Sequence, residues 1–220
     1  MRNIKAVIFD MDGLMFDSER LWLNSAIRTN KEYGYQVPEE LIINCIGCRN
    51  EEIKTELKKI MGKEFDADKY LKINEMFMNE DVKINGLKLK SGLIELLEFL
   101  KKRNISIAIA SSSSTQRVIK CLFDGNIPID YFDCIIGGEN VMKPKPDPEI
   151  YLKTLRFLNI SAEESIAIED SDNGIKSAYM AGIKPILIPD IKKPKEETLR
   201  MAYKQYERLD QIIELFKKYN

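Results

Sequence analysis

Four stretches of this chain carry side chains that could do chemistry together. They are Asp10-Met11-Asp12-Gly13, the hydroxyl run at 111–115, Lys143-Pro144-Lys145-Pro146-Asp147, and Glu169-Asp170-Ser171. The chain has no histidine, which removes every mechanism that uses imidazole as base, metal ligand or phosphoryl carrier. Hydrolysis would have to rest on carboxylates, lysine, hydroxyls, thiols or a metal held by oxygen. Brought together, four carboxylates against one lysine leave a charge of about −3, untenable away from water unless a cation joins them. A hard divalent ion with oxygen ligands meets that need, and Mg²⁺ is the natural choice.

Each group then has a place in phosphoryl transfer. Asp10 is the expected nucleophile, since a carboxylate can take the phosphoryl group and divide the reaction into two steps. Asp12, two residues on, is the expected acid and base: it protonates the leaving oxygen and later activates water. Neighbouring negative charges favour its protonated form. Ser111 and Ser112, read as opening a helix, offer a hydroxyl and backbone N–H groups to phosphate oxygens. Lys143 is expected to offset charge on Asp10 and the phosphoryl group. Glu169 and Asp170, with Asp10 and the Asp12 carbonyl, are expected to hold the metal. Taken singly, these residues read as turn caps, helix caps and a surface lysine. Their joint order is what carries the chemistry.

That order depends on the elements that precede each stretch. Residues 4–9 form a short apolar run, as a strand buried on both faces should be. Similar runs predict strands at 105–110, 134–137, 165–168 and 185–188. Leu93, Leu96, Leu97 and Leu100 repeat at helical spacing, as do Leu209, Ile212, Ile213 and Phe216. Alternating strands and helices predict an α/β fold with a parallel sheet covered on both faces. Ligands in such sheets bind beyond the carboxyl ends of the strands, which is where all four stretches fall. Residues 17–85 show no strand pattern, only helical spacing such as Ile53, Leu57, Ile60 and Met61, then Tyr70, Ile73 and Phe77. The expected organisation is a core of 1–16 and 86–220 with an all-helical insert of 17–85.

Bulk properties exclude several function classes. Among 220 residues, 34 Lys plus Arg balance 35 Asp plus Glu, which gives no electrostatic footprint for nucleic acid. No apolar run approaches the roughly 18 residues of a membrane span. The first residues read as a strand and not as a signal peptide, so a cytoplasmic location is expected. Cys45 and Cys48 have CxxC spacing, but Cys121 and Cys134 supply no second pair and no histidine completes a zinc site. All four are read as reduced, mostly buried thiols.

In this order the motifs resemble the haloacid dehalogenase superfamily, in its β-phosphoglucomutase-like, helical-capped phosphatase branch. Asp10-Met11-Asp12-Gly13 resembles its first motif, Ser111 its second, Lys143 with Pro144 and Asp147 its third, and Glu169-Asp170-Ser171 with Gly174 its fourth. The resemblance spans nearly the whole chain. It implies a Rossmann-like core, a helical cap closing over the site, and Mg²⁺ as cofactor. In the dehalogenases proper the residue matching Asp12 is not an aspartate, so Asp12 argues for phosphate esters. Family mutases carry a histidine shortly after the first motif, where this chain has Trp22, and a cap arginine that here, as Arg49, is shifted by one. Phosphatase is therefore the expected activity, β-phosphoglucomutase the alternative, and a catalytically silent module of the same fold the non-enzyme rival. A phosphorylated signalling receiver domain is excluded by chain length and by the helical insert. A lid must open to admit water, with hinges expected near 16–17 and 85–86 and Arg49 a candidate for gripping substrate. Small phosphate esters, sugar phosphates first, are the expected substrates, while oligomeric state leaves no mark in the sequence.

Overall fold

The computed structural model describes residues 4–48 and 50–217. Its strands are β1 (Ala6–Phe9), β2 (Ser106–Ala110), β3 (Cys134–Ile136), β4 (Ser165–Glu169), β5 (Lys184–Leu187) and β6 (Lys204–Gln205). They form one sheet in the order β3-β2-β1-β4-β5-β6, and every neighbouring pair is parallel. This is the expected α/β class. The order reverses direction at β1, so the crevice between β1 and β4 is the topological switch point where such sheets take ligands. Register keeps the strand ends level, with Phe9 opposite both Ile109 and Ile168. The residues that follow these strands therefore emerge at one edge.

The two faces of the sheet differ in bulk. Ile8, Ala108 and Ala167 lie side by side on one face, and Val7, Ile107 and Ile166 on the other. The alanine face makes room for large helix side chains. Ile150, Tyr151 and Leu155 of α7 (Glu149–Leu158) and Ala178 of α8 (Asp172–Met180) pack into one cluster with it. The other core helices are α5 (Leu93–Lys102), α6 (Thr115–Asp124), α9 (Glu196–Met201) and α10 (Ile213–Lys217). All four leucines of the α5 pattern are buried. The second pattern divides: a 3-10 turn at Leu209–Ile212 runs into α10, and the buried residues are Leu209, Ile212 and Leu215, three apart. Three-residue spacing fits the tighter turn, whereas the sequence pattern had assumed 3.6 throughout.

The chain divides into two compact units, Met1–Phe16 with Leu89–Asn220, and Asp17–Lys88. The second consists of α1 (Ser18–Tyr33), α2 (Glu39–Cys45), α3 (Asn50–Met61) and α4 (Ala67–Asn85). It has its own core, built from Ala26, Leu41, Ile42, Ile53, Leu57 and Tyr70 among others. Among the described residues no helix is long and apolar enough to cross a membrane, and the four cysteines are free.

Candidate active site

β1 is buried along its whole length and is followed directly by Asp10, whose N–H is held by the Ile168 carbonyl at 3.0 Å. Gly13 sits at φ 75°, the left-handed backbone that lets the chain turn at once and leave Asp12 beside the strand end. Asp10 itself is buried. Its Oδ1 accepts a hydrogen bond from Lys145 Nζ at 2.5 Å. The same ammonium donates to Glu169 Oε1 at 2.6 Å and to the Ala110 carbonyl at 2.8 Å. Three acceptors match the three N–H donors of a lysine, so its hydrogen-bonding capacity is fully used.

The sequence reading gives this place to Lys143, and the structure overturns it. The Lys143 side chain is 73% exposed and, among the described residues, reaches Asp147 at 3.9 Å, whereas that of Lys145 is 4% exposed. The cause is local. The Glu149 carboxylate accepts the N–H groups of Met142 and Lys143, and the Asp147 N–H closes a turn onto the Pro144 carbonyl. Lys143 is thereby held on the outer side of the loop, and Lys145, two residues further round the turn, enters the core. Asp147 is structural: its Oδ1 accepts the Glu149 N–H at the start of α7, and its carbonyl accepts the Ser177 hydroxyl.

Glu169 is fully buried at the end of β4. Besides Lys145, its Oε1 accepts the Tyr151 hydroxyl at 2.5 Å, and its Oε2 accepts Ser171 at 3.3 Å. Ser171 also caps α8 by accepting the Gly174 N–H. A Cβ on Gly174 would lie 1.9 Å from the Glu169 carboxylate, so a glycine is required there for Glu169 to occupy its place. Burial, reinforced by the charge of Glu169, holds the Tyr151 phenol well above its usual range and keeps it a donor.

Ser111 is buried, and its hydroxyl accepts the Ser113 N–H at 3.1 Å. Ser112 is exposed. Neither opens a helix: α6 starts at Thr115, because Ser114 is the residue whose side chain caps it by accepting the Arg117 N–H. Asp12 is engaged on both oxygens, Oδ2 by the Ser113 hydroxyl at 2.7 Å and Oδ1 by Arg117 at 3.0 Å. Sequence reasoning missed Ser113, Arg117, Lys145 and Tyr151. The signals were the doubled lysine in Lys143-Pro144-Lys145 and the hydroxyl run that contains Ser113. Arg49 lies outside the described residues.

Carboxylate oxygens of Asp10, Glu169 and Asp170 all lie within 4.8 Å of one another. Hard oxygen donors at that spacing suit Mg²⁺, which prefers carboxylates and water. Counting Asp10, Asp12, Glu169 and Asp170 against Lys145 and Arg117 gives about −2, a sum that one divalent cation cancels. Burial pushes the Asp10 carboxyl up to about 7; Lys145 opposes that shift, and Glu169 and Asp12 add to it. On Lys145, burial works to lower the ammonium, but the charges of Asp10 and Glu169 outweigh it and push it up.

The chain is similar to known proteins along most of its length. The family model for haloacid dehalogenase-like hydrolases matches residues 7–188. A phosphorylated carbohydrates phosphatase of Thermotoga maritima is 33% identical over 184 residues, covering 83% of this chain and 84% of that protein. Protein CbbY of Cereibacter sphaeroides is 29% identical over 206 residues, covering 88% of each. Among solved structures, a β-phosphoglucomutase from Clostridium difficile has a TM-score of 0.75 at 25% identity, covering 99% of this chain and 97% of that one.

Proposed function

We propose, for a chain that belongs to the haloacid dehalogenase-like hydrolase family, that it is a Mg²⁺-dependent phosphatase of small phosphate esters acting through a phosphorylated Asp10. The observation that carries this reading is the grouping at the sheet switch point. Asp10 lies on Lys145 at 2.5 Å, with carboxylate oxygens of Glu169 and Asp170 close by.

Asp10 attacks phosphorus in line with the ester oxygen, forming an acyl phosphate as the ester P–O bond breaks. Asp12 gives its proton to the departing alkoxide, so the alcohol leaves neutral. In the second step Asp12 takes a proton from the water that attacks phosphorus. The bond to Asp10 then breaks, releasing phosphate and restoring the carboxylate. Lys145 holds Asp10 and offsets the negative charge that gathers there. In this reading the Ser111 hydroxyl, buried just after β2, receives a phosphate oxygen. Asp10, Glu169, Asp170 and the Asp12 carbonyl would hold Mg²⁺, which would supply positive charge to offset that of the phosphoryl group.

Sugar phosphates lead as substrates, a reading supported by the likeness to a phosphorylated carbohydrates phosphatase. The likeness to a β-phosphoglucomutase favours a second reading, phosphoryl transfer between sugar positions. Against it stands the absence of any histidine, with Trp22 where the mutases place theirs. Phosphate release across a panel of phosphomonoesters tests both readings. Turnover is expected to need Mg²⁺, to stop with EDTA, and to fall by about four orders of magnitude in Asp10→Asn. A fully active Asp10→Asn enzyme would refute the nucleophile. With β-glucose 1-phosphate and its bisphosphate activator the expected product is free phosphate, and accumulation of glucose 6-phosphate would establish the mutase instead.

A further inference from the structure

We propose that Arg117 is a positioning residue for Asp12, fixing the orientation of its carboxylate so that the proton reaches the leaving oxygen. The inference rests on the reading of Asp12 as acid and base. Its foundation is geometric: Arg117 takes Oδ1 at 3.0 Å and the Ser113 hydroxyl takes Oδ2 at 2.7 Å. The two donors together set both the side-chain torsion and the plane of the carboxylate. Ser113 is itself tied to the buried Ser111 hydroxyl through its N–H, so Asp12 is referenced to the loop that would receive phosphate.

Neither the strength of the exposed ion pair nor the helix dipole accounts for an arginine here. The Arg117 side chain is 42% exposed and that of Asp12 26%, and ion pairs so open to water contribute little to folding. Arg117 also lies in the first turn of α6, which holds no acidic residue. The helix dipole is positive at that end and disfavours a cation. An arginine in an unfavourable place, aimed at the acid/base residue, is accounted for by what it does to that residue.

The test uses the Mg²⁺-loaded full chain and two leaving groups. An alkyl phosphate needs a proton on its departing oxygen, and 2,4-dinitrophenyl phosphate does not. Arg117→Ala is expected to lower kcat on the alkyl ester by about 10–100-fold, with KM changed by less than about threefold. The burst of dinitrophenolate, which reports phosphorylation of Asp10, is expected to change by less than about threefold. Arg117→Lys should recover part of the loss, and Ser113→Ala should show the same leaving-group selectivity. In an Asp12→Ala background Arg117→Ala should have no further effect, because it acts through the missing carboxylate. Equal losses on both substrates, full alkyl turnover in Arg117→Ala, or an additive effect on Asp12→Ala would each overturn the proposal. Wild-type turnover by Asp12→Ala alone would remove the acid/base reading itself, so the two failures are told apart by different variants.

Discussion

Lys145 Nζ sits among three acceptors at 2.5–2.8 Å, two of them carboxylates with almost no access to water. Removing a partner from such a buried group strands the charges left behind, at a cost of about 3–5 kcal/mol. Lys145→Ala should therefore lose both stability and phosphate release. Lys143→Ala, on an exposed side chain, should stay within about 0.5 kcal/mol of wild type and keep its turnover. Thermal denaturation and a Mg²⁺-dependent phosphatase assay on the two variants check this, and loss of turnover in Lys143→Ala would restore the sequence assignment. Why the sequence misplaced the lysine is instructive. Residue types and their place after a strand identified Asp10, Asp12, Ser111, Glu169 and Asp170 as candidates. Which of two lysines in Lys143-Pro144-Lys145 turns inward is decided by Glu149 and Asp147 clamping the loop backbone, a matter of hydrogen bonds that spacing does not encode. Arg117, Ser113 and Tyr151 were hidden for a related reason. Each gains its meaning from one acidic partner more than fifteen residues away.

Among the elements, α8 is the one whose fit to the site is tightest. It starts directly after Glu169-Asp170-Ser171 and is capped by Ser171, and Gly174 in its first turn faces the Glu169 carboxylate. Helix propensity alone would favour alanine over glycine by about 1 kcal/mol. Here the sign reverses, since a methyl group at 1.9 Å must push aside a carboxylate held by Lys145, Tyr151 and Ser171. Gly174→Ala is expected to cost about 1–3 kcal/mol, the range for forced overpacking, and to weaken Mg²⁺ binding by shifting Glu169. Thermal denaturation with and without Mg²⁺, together with calorimetric titration of the ion, measures both effects. An unchanged midpoint with unchanged affinity would show that the loop absorbs the methyl group. The longer elements were legible because burial wrote itself into them: strands with both faces covered are apolar throughout, and α5 shows its leucine stripe. β6 was not legible. Its two residues, Lys204 and Gln205, are polar, and it is held by backbone bonds such as those from the Tyr203 and Tyr206 N–H groups to the Pro185 and Leu187 carbonyls.

At the scale of the molecule, one chain passes between two compact units twice, at 16/17 and again at 88/89, and each unit buries apolar residues of its own. The α/β unit grips both crossings by its own contacts. Phe16 pairs antiparallel with Leu89, and the Lys90 N–H bonds the Met15 carbonyl at 2.9 Å. Opening of the helical unit would thus leave a closed loop on an intact sheet and need not spread into it. Stability in such a chain is divided, and each core should answer for its own unit. Leu57 is buried in the helical unit and Leu96 in the α/β unit, and truncating a buried leucine costs about 2–5 kcal/mol. In Leu57→Ala, amide hydrogen exchange should accelerate through α1, α3 and α4 while Ala6–Phe9 of β1 keeps its protection. In Leu96→Ala, protection should fall in β1 and β2. Exchange followed by mass spectrometry on both variants decides the matter. If β1 loses protection in step with the helices of Leu57→Ala, the two units unfold as one.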